Sequence, residues 1–268
     1  MNLFVVVITV VSCLVLAAPP RAASSGEGAT TPQAGRSETP PPDWLETWTK
    51  ATHFAAEGKN AEVLALYEQW VAKHPDFGEG HFELGRAHEA IARVMVMSGA
   101  PDAQPTRQKH LEASALHMRR GLELAGPDAP FRMMRALIEL HDHVGLNRPA
   151  EYERLVRESV VRYPAEPAAH AYFLALLASK GIPIKTAALA ARAAILNGPE
   201  ARVELAGALV AHVAVPSFGT PALAPTLLPE ASRLIDEALT LKPGDAEALD
   251  LRARIHDMQA SASQLPPG

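Results

Sequence analysis

The chain is poor in cysteine, in aromatic rings and in β-branched runs, and each shortage removes a class of protein. Its 268 residues contain one cysteine, Cys13, so no disulfide framework, thiolate metal cluster or cysteine nucleophile can form downstream of it. Aromatic residues make up 5%, and β-branched runs are confined mostly to the N-terminus, whereas alanine is abundant; this balance favours helix over strand. No basic excess is present: the net charge is −5, with acids and bases interspersed, so the footprint of a nucleic-acid binder is missing. G-x-S-x-G, P-loop and G-x-G-x-x-G motifs are also missing. Eleven histidines are present, but without H-E-x-x-H. His81 and His88 share a helix face seven residues apart, and His141, Asp142 and His143 are adjacent; neither set has an assignable third ligand. The expectation is a protein with no catalytic constellation, no metal and no cofactor.

What is present begins with an apolar run of sixteen residues, 3–18, short of the roughly 20 that a membrane-spanning helix needs. Small residues follow at 17–24, so residues 1–23 read as an export signal, or as a retained N-terminal anchor. No Lys or Arg precedes the run. Val10-Val11-Ser12-Cys13 resembles a bacterial lipobox, which makes Cys13 a candidate for lipidation and membrane tethering. Residues 24–42 are rich in Pro, Ser, Thr and Gly, lack apolar periodicity, and read as a disordered linker. Together these features predict a secreted, periplasmic or envelope-tethered protein.

The organising pattern lies near the other end. Ala231, Ile235, Ala238 and Pro243 place small residues where a neighbouring helix approaches, a large one between them, and a stop. This resembles the second helix of a tetratricopeptide repeat (TPR). Trp44 to Pro75 fits the same unit, with Phe54, Gly58, Tyr67 and Pro75 at its aromatic, turn, aromatic and stop positions; Trp70 departs, since a small residue is usual there. His81-x2-Leu84-Gly85-x2-His88 is similar to the family's W-x2-L-G-x2-Y, with histidines in the aromatic places. The same frame places His170 and His141 at aromatic positions, as packing rings rather than ligands.

The prolines Pro75, Pro127, Pro164, Pro199 and Pro243 lie 52, 37, 35 and 44 residues apart. Against a unit of 34 residues, the large excesses fall near 99–105 and 215–227, which read as loops or helix extensions. The resemblance implies an all-α, right-handed α-solenoid of antiparallel helix pairs over residues 43–260. It would have about five repeats and a terminal capping helix, with a flexible tail at 261–268. Asp43 and Glu46 are expected to form a capping box on the first helix.

The resemblance also implies a function. In this family the first helices line a concave groove. The corresponding positions include Trp48 and Thr52 in the first unit, Phe82, Arg86 and Glu89 in the second, Arg132, Arg135, Glu139 and Asp142 in the third, and Val203 in the fifth. In the fourth unit they are the alanines Ala168, Ala171, Ala175 and Ala178. Such a surface implies a non-catalytic adaptor that binds a protein or peptide, with the three arginines orienting an acidic stretch. The family's carboxylate-clamp pattern is not matched, because Trp48, Thr52 and Phe82 stand where Lys and Asn are needed. Two alternatives are an assembly factor for an envelope machine, such as a pilus or secretion pore, and a metal-binding envelope enzyme built on His141, His143 and nearby carboxylates.

Overall fold

Proline and glycine punctuate this chain into helix pairs. The computed structural model describes residues 39–98, 103–142, 145–195, 198–214 and 221–263. The expected signal, Cys13, most of the linker and His143 lie outside the described residues. Within them there are eleven α-helices and no strand. None is long and apolar enough to cross a membrane.

The helices run as α1 (Trp44–Ala56) with α2 (Asn60–Lys73), α3 (Gly78–Ser98) with α4 (Ala103–Ala125), α5 (Phe131–His141) with α6 (Pro149–Arg162), α7 (Pro167–Ser179) with α8 (Lys185–Ile195), α9 (Pro199–Ala214) with α10 (Ala224–Leu241), and a final α11 (Ala246–Ser263). Each helix from α1 to α7 packs on the next. The arrangement is the expected all-α stack of antiparallel helix pairs with a terminal helix. Gly58 and Gly181 turn the first and fourth pairs at φ 73° and 68°, a region that an L side chain enters only with strain.

The two stretches expected as loops or helix extensions, 99–105 and 215–227, are helical where they are described, from 103 and from 221; 99–102 and 215–220 lie outside the described residues. The excess in the second unit goes into α3 and α4, of 21 and 23 residues, which extend the hairpin beyond the family length. In the fifth unit a 3-10 turn at Pro221–Leu223 leads into α10 at Ala224, inside that stretch; Pro225 sits in its first turn, where its missing N–H costs nothing. α11 continues to Ser263, three residues into the expected tail, and 264–268 lie outside the described residues. The capping box does not form: Asp43 has a helical backbone (φ −88°, ψ −1°) and makes no side-chain cap bond. Its carboxylate instead accepts from His74 Nε2 at 3.4 Å, tying the start of α1 to the end of α2.

Close approach holds α3 on α4. A Cβ at Gly121 would lie 2.7 Å from the Gly78 carbonyl oxygen, and one at Gly85 would lie 2.7 Å from Met118 Cγ. Met118 is fully buried in the resulting contact. Trp70 is accommodated in a similar way. Its ring packs 4.7 Å from Trp44 and 5.3 Å from Phe77, and it occupies the space a side chain at position 80 would need, 2.4 Å from a Cβ there. Gly80 therefore makes room for the large ring on α2.

The fourth unit breaks the regular order. α9 packs chiefly on α7 and α10 and touches α8 only lightly. α8 is joined to α10 instead by Arg192, which binds Glu230 at 2.7 Å and Glu237 at 2.9 Å. Beyond Pro243, Asp245 caps α11 by accepting from the Glu247 and Ala248 amides at 3.1 Å each.

Candidate functional site

From α3 to α9 the first helices of successive pairs meet through side chains on one face, and α11 packs on α9. Arg132 on α5 reaches back to α3, pairing with Glu79 and with Glu83 at 3.6 Å, and its guanidinium lies over the Phe82 ring. Tyr172 on α7 reaches back to α5, its hydroxyl donating to Glu139 at 2.7 Å; the same oxygen accepts from Arg135 Nε at 2.7 Å. His212 on α9 stands edge-on to the Tyr172 ring at 4.8 Å. A chain of polar contacts thus runs from α3 through α5 and α7 to α9.

Burial sets the electrostatics of this row. Glu83 is pushed up to about 7, first by burial and then by Glu79, against the pull of Arg132 and Arg86. His212 is held down to about 4 by burial, although Asp142 and Glu139 favour its charged form. Arg135 is raised because the Glu139 carboxylate outweighs its desolvation.

The residues expected in the groove separate into three groups. Arg86, Arg132 and Arg135 sit on this face and are exposed, but each is already paired with a glutamate of the same face: Glu89 at 3.9 Å for Arg86, Glu79 and Glu83 for Arg132, Glu139 for Arg135. Glu89 is nearly buried, and Asp142 is half-buried at the end of α5. Trp48 and Thr52 are half-buried on α1, the Thr52 hydroxyl donating to the Trp48 carbonyl at 2.9 Å, beside the exposed Leu45. Phe82 is a correction: at 3% exposed it belongs to the core, because the long α4 covers α3 and Arg132 covers the ring. Val203 is also buried, but as the floor of a cleft.

The sequence placed Ala168 and Val203 on the groove but gave no sign of the cleft they floor. The cleft lies between the start of α7, the middle of α9 and α11, with a volume of about 510 Å³. Pro167, Ala168, Val203 and Leu251 give it an apolar floor; Glu166, Glu204, Glu247 and Asp250 ring it with carboxylates, opposed by Arg254. Glu204, Glu247, Asp250 and Arg254 make no ion pair among the described residues. α11 reads as a polar-sided cap, and its acidic side could be recognised as a wall only once its position against α7 and α9 was known.

The histidines divide by role. His81 and His170 repeat one contact: Nε2 of each donates to the carbonyl of the stop proline six residues earlier, Pro75 at 2.9 Å and Pro164 at 2.7 Å. His141 is 1% exposed and is held down to about 4 by burial. His88 faces α4, where it meets two further histidines, His110 and His117.

Two solved structures are similar to this chain. One is the crystal structure of YrrB, a TPR protein with an unusual peptide-binding site; it is 12% identical, the match covers 78% of this chain and 91% of that one, and the TM-score is 0.38. The other is TTC0263, a thermophilic TPR protein in Thermus thermophilus; it is 18% identical, with 82% and 99% covered and a TM-score of 0.33. No family model and no curated protein matches the sequence.

Proposed function

We propose that the chain is a non-catalytic adaptor that docks an extended segment of a partner protein along the odd-helix face, from Trp48 and Thr52 on α1 to the cleft beside α11. The observation that carries this reading is the cleft itself. It combines an apolar floor with four carboxylates facing one arginine, a setting for an apolar residue next to Lys or Arg. The arginines of the middle stretch are neutralised by their own glutamates, so an acidic partner would first have to displace Glu79, Glu89 or Glu139. The preferred partner is therefore basic at the cleft, and Arg86, Arg132 and Arg135 act as a structured polar floor. The apolar run at 3–18 and the linker at 24–42 support display outside the cytoplasm, as part of an envelope assembly.

A peptide array tests this directly. Peptides carrying Lys or Arg beside apolar residues should bind, and acidic ones should not. Glu204→Lys combined with Asp250→Lys should weaken the selected peptides by about tenfold or more, mainly through loss of complementary charge. Trp48→Ala should weaken only ligands long enough to reach α1. Undiminished binding to the charge-reversed chain would remove the cleft from the reading.

A further inference from the structure

The α3–α4 hairpin contains four histidines that the docking face does not use. His81 and His88 are seven residues apart on α3, and His110 and His117 are seven apart on α4, so each pair lies on one helix face. The antiparallel crossing brings the two faces together. His81 Nδ1 lies 3.2 Å from His117 Nδ1, and His88 Nδ1 lies 3.0 Å from His110 Nδ1. His117 bridges the two pairs, its ring stacked on His81 at 5.4 Å and on His88 at 5.8 Å. The four rings alternate between helices as a ladder, and His88, His110 and His117 are only half-buried.

Packing alone does not account for this arrangement. A hairpin joined by an apolar seam needs no imidazoles, and a structural histidine usually donates to a backbone carbonyl or a carboxylate, as His170 does. Only His81 makes such a contact. Because the Pro75 carbonyl can only accept, His81 Nε2 carries the hydrogen, and in the neutral ring the lone pair is on Nδ1, facing His117. Donation of the outer N–H to a backbone carbonyl is also how a metal-ligating imidazole is oriented. The nitrogen spacing agrees: two ligands at about 2.0–2.1 Å from a tetrahedral ion lie about 3.3 Å apart. The observed 3.0 and 3.2 Å differ from that by a few tenths of an ångström. Either pair could accept an ion by shifting one ring to its Nε2–H tautomer, which frees the second Nδ1 lone pair with no net loss of a proton.

We infer that the histidine ladder between α3 and α4 is a binding site for a divalent d-block cation of the Ni2+, Cu2+ and Zn2+ group, each ion clipped between Nδ1 of one α3 histidine and Nδ1 of one α4 histidine. Imidazole donors select this group over Mg2+ and Ca2+. Among the described residues no three His, Cys, Asp or Glu converge on one point, so each ion has two protein nitrogens and water at its remaining positions. The pair His88 and His110, half-buried on both sides, leaves space for that water and fills first; the pair His81 and His117, in which His81 is buried, fills second. A bound ion ties the two longest neighbouring helices of the array together.

The test uses the untagged full chain and Zn2+ itself. Calorimetry at pH 7.5 should show saturable binding of one or two ions and none of Mg2+, with a rise in the unfolding temperature. Replacing one member of each pair, His88→Gln with His117→Gln, should weaken Zn2+ binding roughly tenfold or more, the scale seen even for lost outer partners. Replacing two exposed histidines, His53→Gln with His256→Gln, should leave it intact. Zn2+ binding that survives the first double variant, or no saturable binding at all, overturns the site. If that variant does not fold, imidazole 15N spectra of the unaltered chain decide. The Nδ1 signals of His88 and His110 should move on Zn2+ addition; movement confined to other histidines, or none, overturns the site equally.

Discussion

At the scale of single residues, His81 and His170 stand where the repeat has aromatic rings, each adding a polar edge. His81 and His170 were legible as such, because the repeat frame places them at aromatic positions, and both end on a stop-proline carbonyl. What the frame could not give was the cross-helix partner: the His88–His110 contact depends on the register of α3 against α4, which glycine contacts at Gly85 and Gly121 set. Trp70 shows the same limit. Its bulk is visible as a departure, but the compensating glycine, Gly80, lies on the next helix. His212 provides the residue-scale prediction. Its folded value, about 4, lies below the ordinary 6.5, so the unfolded chain binds its proton first as pH falls. Stability from this group is present above about pH 6.5 and is lost toward pH 4. Between pH 7 and pH 5 the loss should be about 2 kcal/mol. Urea unfolding at the two pH values should show His212→Gln with the smaller difference; an equal difference would mean that His212 is not neutral in the fold.

At the scale of elements, helix existence was legible and helix extent was not. Apolar periodicity and the Pro stops located all eleven helices of the described residues, but 99–105 and 215–227, which contain Pro and Gly, read equally as loop or as helix extension. The structure places Gln104, Pro105 and Pro225 in first turns of helices, where proline is tolerated. α8 is the element whose packing departs furthest from the repeat, since little of it touches α9. Its Ala188, Ala191 and Ile195 join the core shared with α7, α9 and α10, and a charged tie adds to that burial: Arg192, 15% exposed at its side chain, holds Glu230, 5% exposed, and Glu237. Arg233 also reaches Glu230, at 3.1 Å, so removing Arg192 leaves that carboxylate partly satisfied. Arg192→Met should therefore cost about 2–3 kcal/mol, less than a buried charge stripped of its only partner. Hydrogen exchange should show the α8 amides losing protection before those of α10. Equal loss in both helices would mean that Arg192 is not the tie.

At the scale of the whole array, stability and the proposed docking face depend on the same terminal helix. Each pair buries its apolar face only against its neighbours, so α11 both closes the last core and forms one wall of the cleft. Ala248, Leu251 and Ile255 are buried, and burial of a large aliphatic side chain is worth about 1.5–3 kcal/mol. The groove frame reached Ala168 and Val203 but not α11, because it follows the first helices of repeats only. The cleft needs a helix outside any repeat, and that is why its acidic wall was not legible. Ending the chain before Ala246 should expose α10 and the neighbouring part of α9. Nearest-neighbour coupling then predicts that exchange protection falls in α9 and α10 and is kept in α1 to α6. Basic-peptide binding should disappear even though Trp48, Arg86, Arg132 and Arg135 remain in place. A truncated chain that lost protection uniformly would behave as one cooperative core, and one that still bound basic peptides would put the docking site on the earlier pairs.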